Sequence, residues 1–520
     1  MNLDKQRLYQ WGGICLILLW LGWHLILPIN LVASDMGRYI NNGELILQGQ
    51  WDVLYKNYYS YTNPQYPFFN YHWLFGVFCY AVWHWAGFTG LAIVYIAIEL
   101  LTFFLFFRCW QRFSSFLMLC AFGLLSFPLI SMRDSIRPEG FSYLFCGLFW
   151  LLIDRYQQKW LKPHYLIIAL CIVQILWVNT HIFFMMGPVL TAFFWWQARC
   201  NKEEEQVNVL QKLFCLLCGM CLINPFGINL FGLVLDTWKA SSVAPVIESQ
   251  SMFYFLSLKT MPDKSICFYF LAILGMLILP LISLIQREGL KKYIFIALLI
   301  FLLAFAALKS IRMIGLFGYI WIPISSYLYS GWIRTETVKL RKNIEIFLVV
   351  IGILVSALVG FDWKQSNVLG IVPGTNDAAE FFKREKIQGP IFNNYNIGGY
   401  LIFHLSPEYK LFVDNRGLAA YPDDFFIKTY IPMQRRDDVW KRMDQRYHFN
   451  VIFYSPMQPL IRDRFVWNRI NDPSWALVFF KKDVVIFLKR DQKNDPIIRR
   501  FEEHLKIISP TEIDVLRIST

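Results

Sequence analysis

The sequence predicts a polytopic α-helical membrane protein of about eleven transmembrane helices followed by a soluble C-terminal α/β domain. Three observations carry that expectation. Of 520 residues, 56% are hydrophobic and only 17% are charged, whereas a soluble domain carries about 25% charged residues. Apolar runs of the length needed to cross about 30 Å of hydrocarbon, about 20 residues each, recur through residues 1–360. Short connections rich in Lys and Arg alternate with long ones that are poor in them, which is the pattern that orients helices in a bilayer.

The elements follow in order. The first run, 11–32, comes after Lys5 and Arg7 and resembles a secretory leader, with Ala33 near a conceivable cut. It is long for a leader and no good small-x-small site follows, so the sequence predicts a retained span. Further spans are predicted near 88–107, 115–131, 140–153, 165–180, 183–197, 208–223, 266–285, 293–308, 313–331 and 344–360. The short loops carrying Arg108 and Arg112, Arg155, Lys159 and Lys162, Arg199 and Lys202, Arg287, Lys291 and Lys292, and Arg334 to Lys342 are expected on the cytoplasmic side. The long loops 33–87 and 224–265 then face outward. With the N-terminus inside and an odd number of spans, residues 361–520 are exported.

Within loop 33–87, Met36, Tyr39, Ile40 and Leu47 share one helical face, which predicts an amphipathic helix resting on the bilayer surface with Asp35 at its start. Residues 71–86 are too short to span comfortably and read as a second surface helix. After Phe361 short apolar runs alternate with polar helices. Asp377 to Lys386 reads as a helix, and 390–393, 410–414, 451–454, 476–480 and 484–488 read as strands.

The net charge of +13 follows from the basic inner loops, and no basic-aromatic nucleic-acid motif accompanies it. All 11 Cys lie at or before Cys267, so no disulfide framework is implied for the exported part. Cys215, Cys218 and Cys221 mimic metal spacing, but three-residue steps inside an apolar helix read as packing positions.

Polar residues crowd at the predicted outer ends of the spans. Asp35, Arg38 and His72 lie in the first outer loop, and Arg133, Arg137 and Glu139 in the next. Asn179 and His181 end the fifth span, Asn224 and Pro225 end the seventh, Glu248 lies in loop 224–265, and Lys309 and Arg312 follow the ninth. Charges beside hydrocarbon are costly unless they line a wet cavity or meet a ligand. An outward polar cavity is the expected arrangement. Bland readings stand beside it: Asp35 as a helix cap, Arg133 and Arg137 as headgroup anchors, His181 as an interfacial histidine bonded to backbone. Glu99 falls mid-span, where a bare carboxylate costs several kcal/mol. His24 of the first span is the expected partner, with a neighbouring backbone carbonyl as the alternative.

Taken in order, Asp35 with Gly43-Glu44-Leu45-Ile46, Tyr71-His72-Trp73-Leu74, Arg137-Pro138-Glu139, Asn179-Thr180-His181, Asn224-Pro225-Phe226-Gly227, Gly398-Gly399-Tyr400-Leu401 and Phe412-Val413-Asp414-Asn415-Arg416 resemble the GT-C superfamily of membrane glycosyltransferases. That superfamily includes the protein O-mannosyltransferases, the lipid A aminoarabinose transferase and the oligosaccharyltransferases, and the chain resembles bacterial members along its whole length. The resemblance implies an inverting transferase that takes a sugar from a polyprenyl-phosphate-linked donor at the outer face of the bacterial inner membrane. The soluble domain would then be periplasmic. It implies Asp35 as general base, Glu139 as the second-loop acid, and acceptors that are glycan, lipid or protein. The cations Arg137, Arg312, Lys309 and Arg133 are the donor phosphate candidates, since guanidinium fits phosphate bidentately. Arg38, His72, Asn179, His181 and Glu248 are the acceptor or cavity candidates. A divalent metal, Mg or Mn, would fall to Asp35 and Glu139, but Asp35 is not followed by Glu and His72 stands where an acid is expected. Two competing classes remain: a lipid or glycolipid transporter, whose substrate site would lie near the midplane, and a non-catalytic scaffold that binds lipid-linked sugar.

Overall fold

A computed structural model describes residues 3–131, 135–239, 251–257, 264–360, 368–456, 463–481 and 483–506. The chain divides into two compact units. One comprises Met1–Leu27 and Leu91–Leu369, the other Pro28–Gly90 and Gly370–Thr520.

Among its described residues the first unit is helical. Each apolar run predicted from the sequence forms a helix, including Leu3–His24, Trp73–Arg108, Phe116–Leu125, Glu139–Gln157, Pro163–Val178, Met186–Cys200, Glu204–Met220, Lys264–Glu288, Leu290–Lys309, Ile314–Trp332 and Val338–Gly360. Among the described residues, four helices are long and apolar enough to cross a membrane by length and composition: Trp73–Arg108, Ser265–Glu288, Leu290–Lys309 and Ile311–Thr335. Leu16, Leu19, Leu279, Phe301, Phe347 and Leu358 are exposed on the helices, as lipid-facing side chains are. The Ile314–Trp332 helix is the centre of the unit. It packs against Phe116–Leu125 and Lys264–Glu288, and Tyr319, Trp321 and Ser325 along it are wholly buried.

Helix ends follow local chemistry. Ser115 caps its helix by accepting from the Met118 amide at 3.2 Å. The first helix stops at His24, short of the predicted 32, because Pro28 restricts the residue before it and supplies no amide. Residues 71–86 and 88–107, expected as two helices, are two: the helical stretch Trp73–Arg108 is broken at Gly87. The break has φ 64° and ψ −166°, a non-helical conformation that a glycine adopts without strain.

The second unit joins the first predicted outer loop to the tail. Its sheet has four strands: β1 (Ile391–Asn393), β2 (Val451–Tyr454), β3 (Trp475–Lys481) and β4 (Val484–Lys489), in the order β1-β2-β4-β3. β1 runs parallel to β2, with Ile391 opposite Val451, while β4 pairs antiparallel with both β2 and β3. The predicted helix in this region forms over Asp377–Arg384, burying Ala378, Ala379, Phe381 and Phe382. Phe392, Ile452, Val485 and Phe487 of the sheet pack with Trp440, Phe449 and Phe465, and Phe68 of the first loop enters the same core.

Two expectations fail here for a shared reason. Residues 410–414 do not form a strand of the sheet. Their backbone is taken by the first loop and by a side chain instead: Leu411 donates to the Tyr59 carbonyl at 2.8 Å, the Tyr61 amide donates to the Leu411 carbonyl at 3.1 Å, and Asn393 Nδ2 donates to the Val413 carbonyl at 2.6 Å. The Met36–Leu47 helix is not a surface helix with one wet face. Met36 to Gly43, Leu45 and Ile46 are all buried by protein, because Gly37 lies against Gly399 and Gly43 against Gly76 with no room for a Cβ.

Candidate functional site

Asp35 occupies the position before the Met36–Leu47 helix, at φ −77° and ψ −4°, and makes no capping hydrogen bond. The capping alternative is therefore not the role its side chain takes. Its Oδ1 instead stands 3.6 Å from Nη2 of Arg38, one turn on, with 24% of the Asp35 side chain exposed against 6% for Arg38. The acid is reachable and the cation that holds it is not. Arg38 Nε donates to Asn415 Oδ1 at 3.2 Å, and Asn415 Nδ2 donates to the Ser34 carbonyl at 3.4 Å. Burial works against the Arg38 charge, but Tyr39, Asp35 and Asp414 outweigh it and leave the guanidinium more firmly protonated than usual.

Beside Asn415 lies a second, wholly buried pair. Arg416 Nε and Nη2 each donate to the Asp414 carboxylate at 2.7 Å, Tyr421 Oη donates to it at 2.8 Å, and Arg416 also reaches Asn57 Oδ1. Burial alone raises the Asp414 carboxyl, yet Arg416 and these hydrogen bonds hold it below the usual carboxylate value. The Arg416 guanidinium covers the Phe68 ring at 4.6 Å. Tyr59 Oη donates to Asn42 Oδ1 at 2.6 Å, which is why the polar face of the Met36–Leu47 helix is also buried. His72 lies in this unit, its ring 4.0 Å from that of Tyr71 and edge-on to Tyr39 at 5.9 Å.

In the first unit Glu139 opens the Glu139–Gln157 helix, where a carboxylate meets the positive end of the helix dipole. Its Oε1 is 3.9 Å from Arg312 Nε, and Arg312 belongs to the 3₁₀ turn Ile311–Met313. Arg137 Nε donates to Ser135 Oγ at 2.9 Å. Lys309 is exposed at the end of its helix. Asn179 is buried and donates to the carbonyls of Ile175 and Ile223 at 2.8 and 2.9 Å, tying two helix ends together. His181 is buried, with Nδ1 2.7 Å from Ser142 Oγ, which accepts from Trp177 Nε1 at 2.8 Å. Arg133 and Glu248 lie outside the described residues.

Glu99 is buried and pairs differently from the expectation. Tyr319 Oη donates to its Oε2 at 2.5 Å, while His24 packs edge-on against Trp20 and Phe127 at 4.8 and 6.1 Å. No hydrogen bond joins Glu99 and His24. A Cβ on Gly140 would stand 2.6 Å from Glu99 Oε1, so glycine at 140 is what lets the carboxylate sit beneath the helix that Glu139 opens. Nothing in the sequence near either residue marks this pairing across 220 positions.

Among the described residues no three His, Cys, Asp or Glu side chains gather as a metal centre requires. Asp35 and Glu139 each face a guanidinium instead.

These features describe a chain with helices long and apolar enough to cross a membrane, and its fold is shared with solved oligosaccharyltransferases. The chain is similar to the archaeal oligosaccharyltransferase AglB from Archaeoglobus fulgidus in complex with an inhibitory peptide and a dolichol-phosphate, at 11% identity and TM-score 0.54, over 86% of this chain and 70% of that one. It is similar to the A. fulgidus oligosaccharyltransferase tethered to an acceptor peptide containing the NVT sequon, at 10% identity and TM-score 0.57 over 86% and 69%. The apo form of that enzyme matches at 11% identity and TM-score 0.52 over the same shares. No family model and no curated protein matches the chain.

Proposed function

We propose that this protein is an inverting membrane glycosyltransferase that moves a sugar from a polyprenyl-phosphate-linked donor to an acceptor on the extracytoplasmic face, with Asp35 as general base. The observation that carries the reading is Asp35 itself, an accessible carboxylate at a helix start that caps nothing and is held by the buried Arg38. In the proposed step the acceptor oxygen or nitrogen attacks the anomeric carbon and its proton passes to Asp35. The bond from that carbon to the phosphate oxygen breaks, and the phosphate leaves with the electron pair. Arg137, Arg312, Lys309 and Arg133 are proposed to meet the phosphate charge, with Glu139 orienting Arg312. Arg38, His72 and Glu248 are proposed to face the acceptor, while Asn179 and His181 shape the wall by fixing helix ends. The fold shared with an enzyme captured with dolichol-phosphate supports a lipid-linked donor. The topology proposed is eleven spans in a bacterial inner membrane, with the N-terminus inside and the tail periplasmic.

The transporter reading drew on Glu99, and its bond to Tyr319 beneath Gly140 gives that carboxylate a structural partner. A non-catalytic scaffold would bind donor without depending on Asp35. The deciding experiment is mass spectrometry of envelope glycans and glycolipids from cells lacking the gene and supplied with either the wild-type chain or Asp35→Asn. The expected result is a product that disappears with the gene and stays reduced at least about 100-fold with Asp35→Asn at equal membrane abundance. Undiminished product would remove Asp35 from the mechanism.

A further inference from the structure

We infer that Asn415 of the tail is the positioning residue for Asp35 and acts through Arg38. The inference rests on the reading of Asp35 as base, and adds to it the part of the chain that fixes where the base stands. Asn415 touches the Ser34–Arg38 turn on both sides of Asp35. Its Nδ2 donates to the Ser34 carbonyl, and its Oδ1 accepts from Arg38 Nε. One side-chain amide thus brackets the acid, and the Arg38 guanidinium it holds stands 3.6 Å from Asp35 Oδ1.

The neighbouring charges leave Arg38 to this task. Asp414, the nearest other carboxylate in sequence to Asn415, is occupied by two Arg416 hydrogen bonds and one from Tyr421. Asn415 is itself held, its carbonyl accepting from Tyr395 Oη at 3.0 Å. The backbones approach closely enough for a side chain as short as Asn to reach. A Cβ at Gly399 would stand 2.7 Å from the Ser34 carbonyl oxygen and 2.9 Å from Asn415 Nδ2. One at Gly37 would stand 2.5 Å from the Gly399 carbonyl oxygen, and one at Gly398 2.5 Å from Asp414 Cα. Glycines on both sides are what bring the tail against the turn that carries Asp35. A carboxylate that must meet an acceptor proton within hydrogen-bond reach loses rate when its turn is released, even with its own side chain intact.

The test compares Asn415→Leu, which keeps the volume and loses both polar contacts, with Asn415→Asp, which keeps an oxygen acceptor for Arg38. Hydrogen exchange of the purified full-length protein in detergent reads the clamp without any substrate, and the glycan product in cells reads transfer. Asn415→Leu is expected to speed exchange of the 36–43 amides about tenfold, with 437–454 unchanged, and to lower product about tenfold or more at equal membrane abundance. Asn415→Asp, which keeps the acceptor for Arg38 but offers no donor to the Ser34 carbonyl, is expected to restore part of each. Wild-type exchange at 36–43 in Asn415→Leu would overturn the clamp. Asp35→Asn separates this inference from the reading beneath it. If that chain keeps its product, the base assignment falls whatever Asn415 does; if it loses product while Asn415→Leu keeps it, the clamp falls alone.

Discussion

At the scale of single residues, polar groups in this chain find partners far away in sequence, and those partners set their chemistry. His404 lies on the Gly398–Leu405 helix. Burial, and then the charge of Lys383, lower its imidazole to about 4. An unfolded histidine titrates near 6.5, so between about pH 6.5 and 4 the unfolded chain binds a proton that the folded one refuses. Stability is therefore full above about pH 6.5 and falls as the pH drops towards 4, by on the order of 3 kcal/mol from this residue. Melting curves of the detergent-solubilised protein across that range are expected to show the loss, and His404→Phe to flatten it. An unchanged slope in His404→Phe would assign the acid sensitivity to other groups. Glu99 shows the same dependence on distance. Mid-span depth was legible from hydropathy, and so was the need for a partner, but the choice of Tyr319 over His24 depends on which helix faces which.

At the scale of elements, the sequence was informative wherever one period of apolar residues suffices. Every apolar run became a helix, and four of the five predicted strands of the tail formed close to their expected places. It was misleading where a segment's partner is a distant backbone. Met36–Leu47 reads as one-faced because Met36, Tyr39 and Ile40 recur at helical spacing, whereas the burial of Asn41 and Asn42 on the other side depends on Tyr59. Residues 410–414 have strand-like composition, yet the first loop takes their hydrogen bonds. Of the candidate residues, Asp35 and Glu139 stood out as acids in predicted outer loops. Asn415 did not, because its value lies in reaching Ser34 and Arg38. Glycines carry the missing signal, and they can be tested directly. Gly399→Ala would push a Cβ to 2.7 Å from the Ser34 carbonyl and is expected to destabilise by about 1–3 kcal/mol through overpacking. Gly275→Ala, where a Cβ meets nothing within 4 Å, is expected to be neutral or slightly stabilising. Equal melting temperatures for the two variants would show that the close approach is relaxed at little cost.

At the scale of the whole molecule, the packing of the first loop with the tail constrains the path of the chain between them. Tyr59, Tyr61 and Thr62 bond to the backbone of Leu411 and Phe412, and Phe68 shares a core with Phe392 and Trp440. Segments that share hydrogen bonds and a core lie on one side of a bilayer, so the chain from Gly90 to Gly370 must cross it an even number of times. The sequence reading places ten spans in that interval, which meets the condition as any even count would; an odd count would set the loop and the tail on opposite faces. Parity leaves the orientation to the Lys and Arg bias, which puts the loop and the tail together in the set expected outside. The prediction is read with a membrane-impermeant thiol reagent on intact cells, in a chain whose native cysteines are replaced. Cysteines at the exposed positions Lys56 and Lys441 are expected to label together from outside, and one at exposed Lys159 only after permeabilisation. Labelling of Lys56→Cys and Lys441→Cys on opposite sides would break the parity argument. Labelling of both only after permeabilisation would keep the parity and invert the topology, which would move Asp35 to the cytoplasmic face and remove the extracytoplasmic site proposed for transfer.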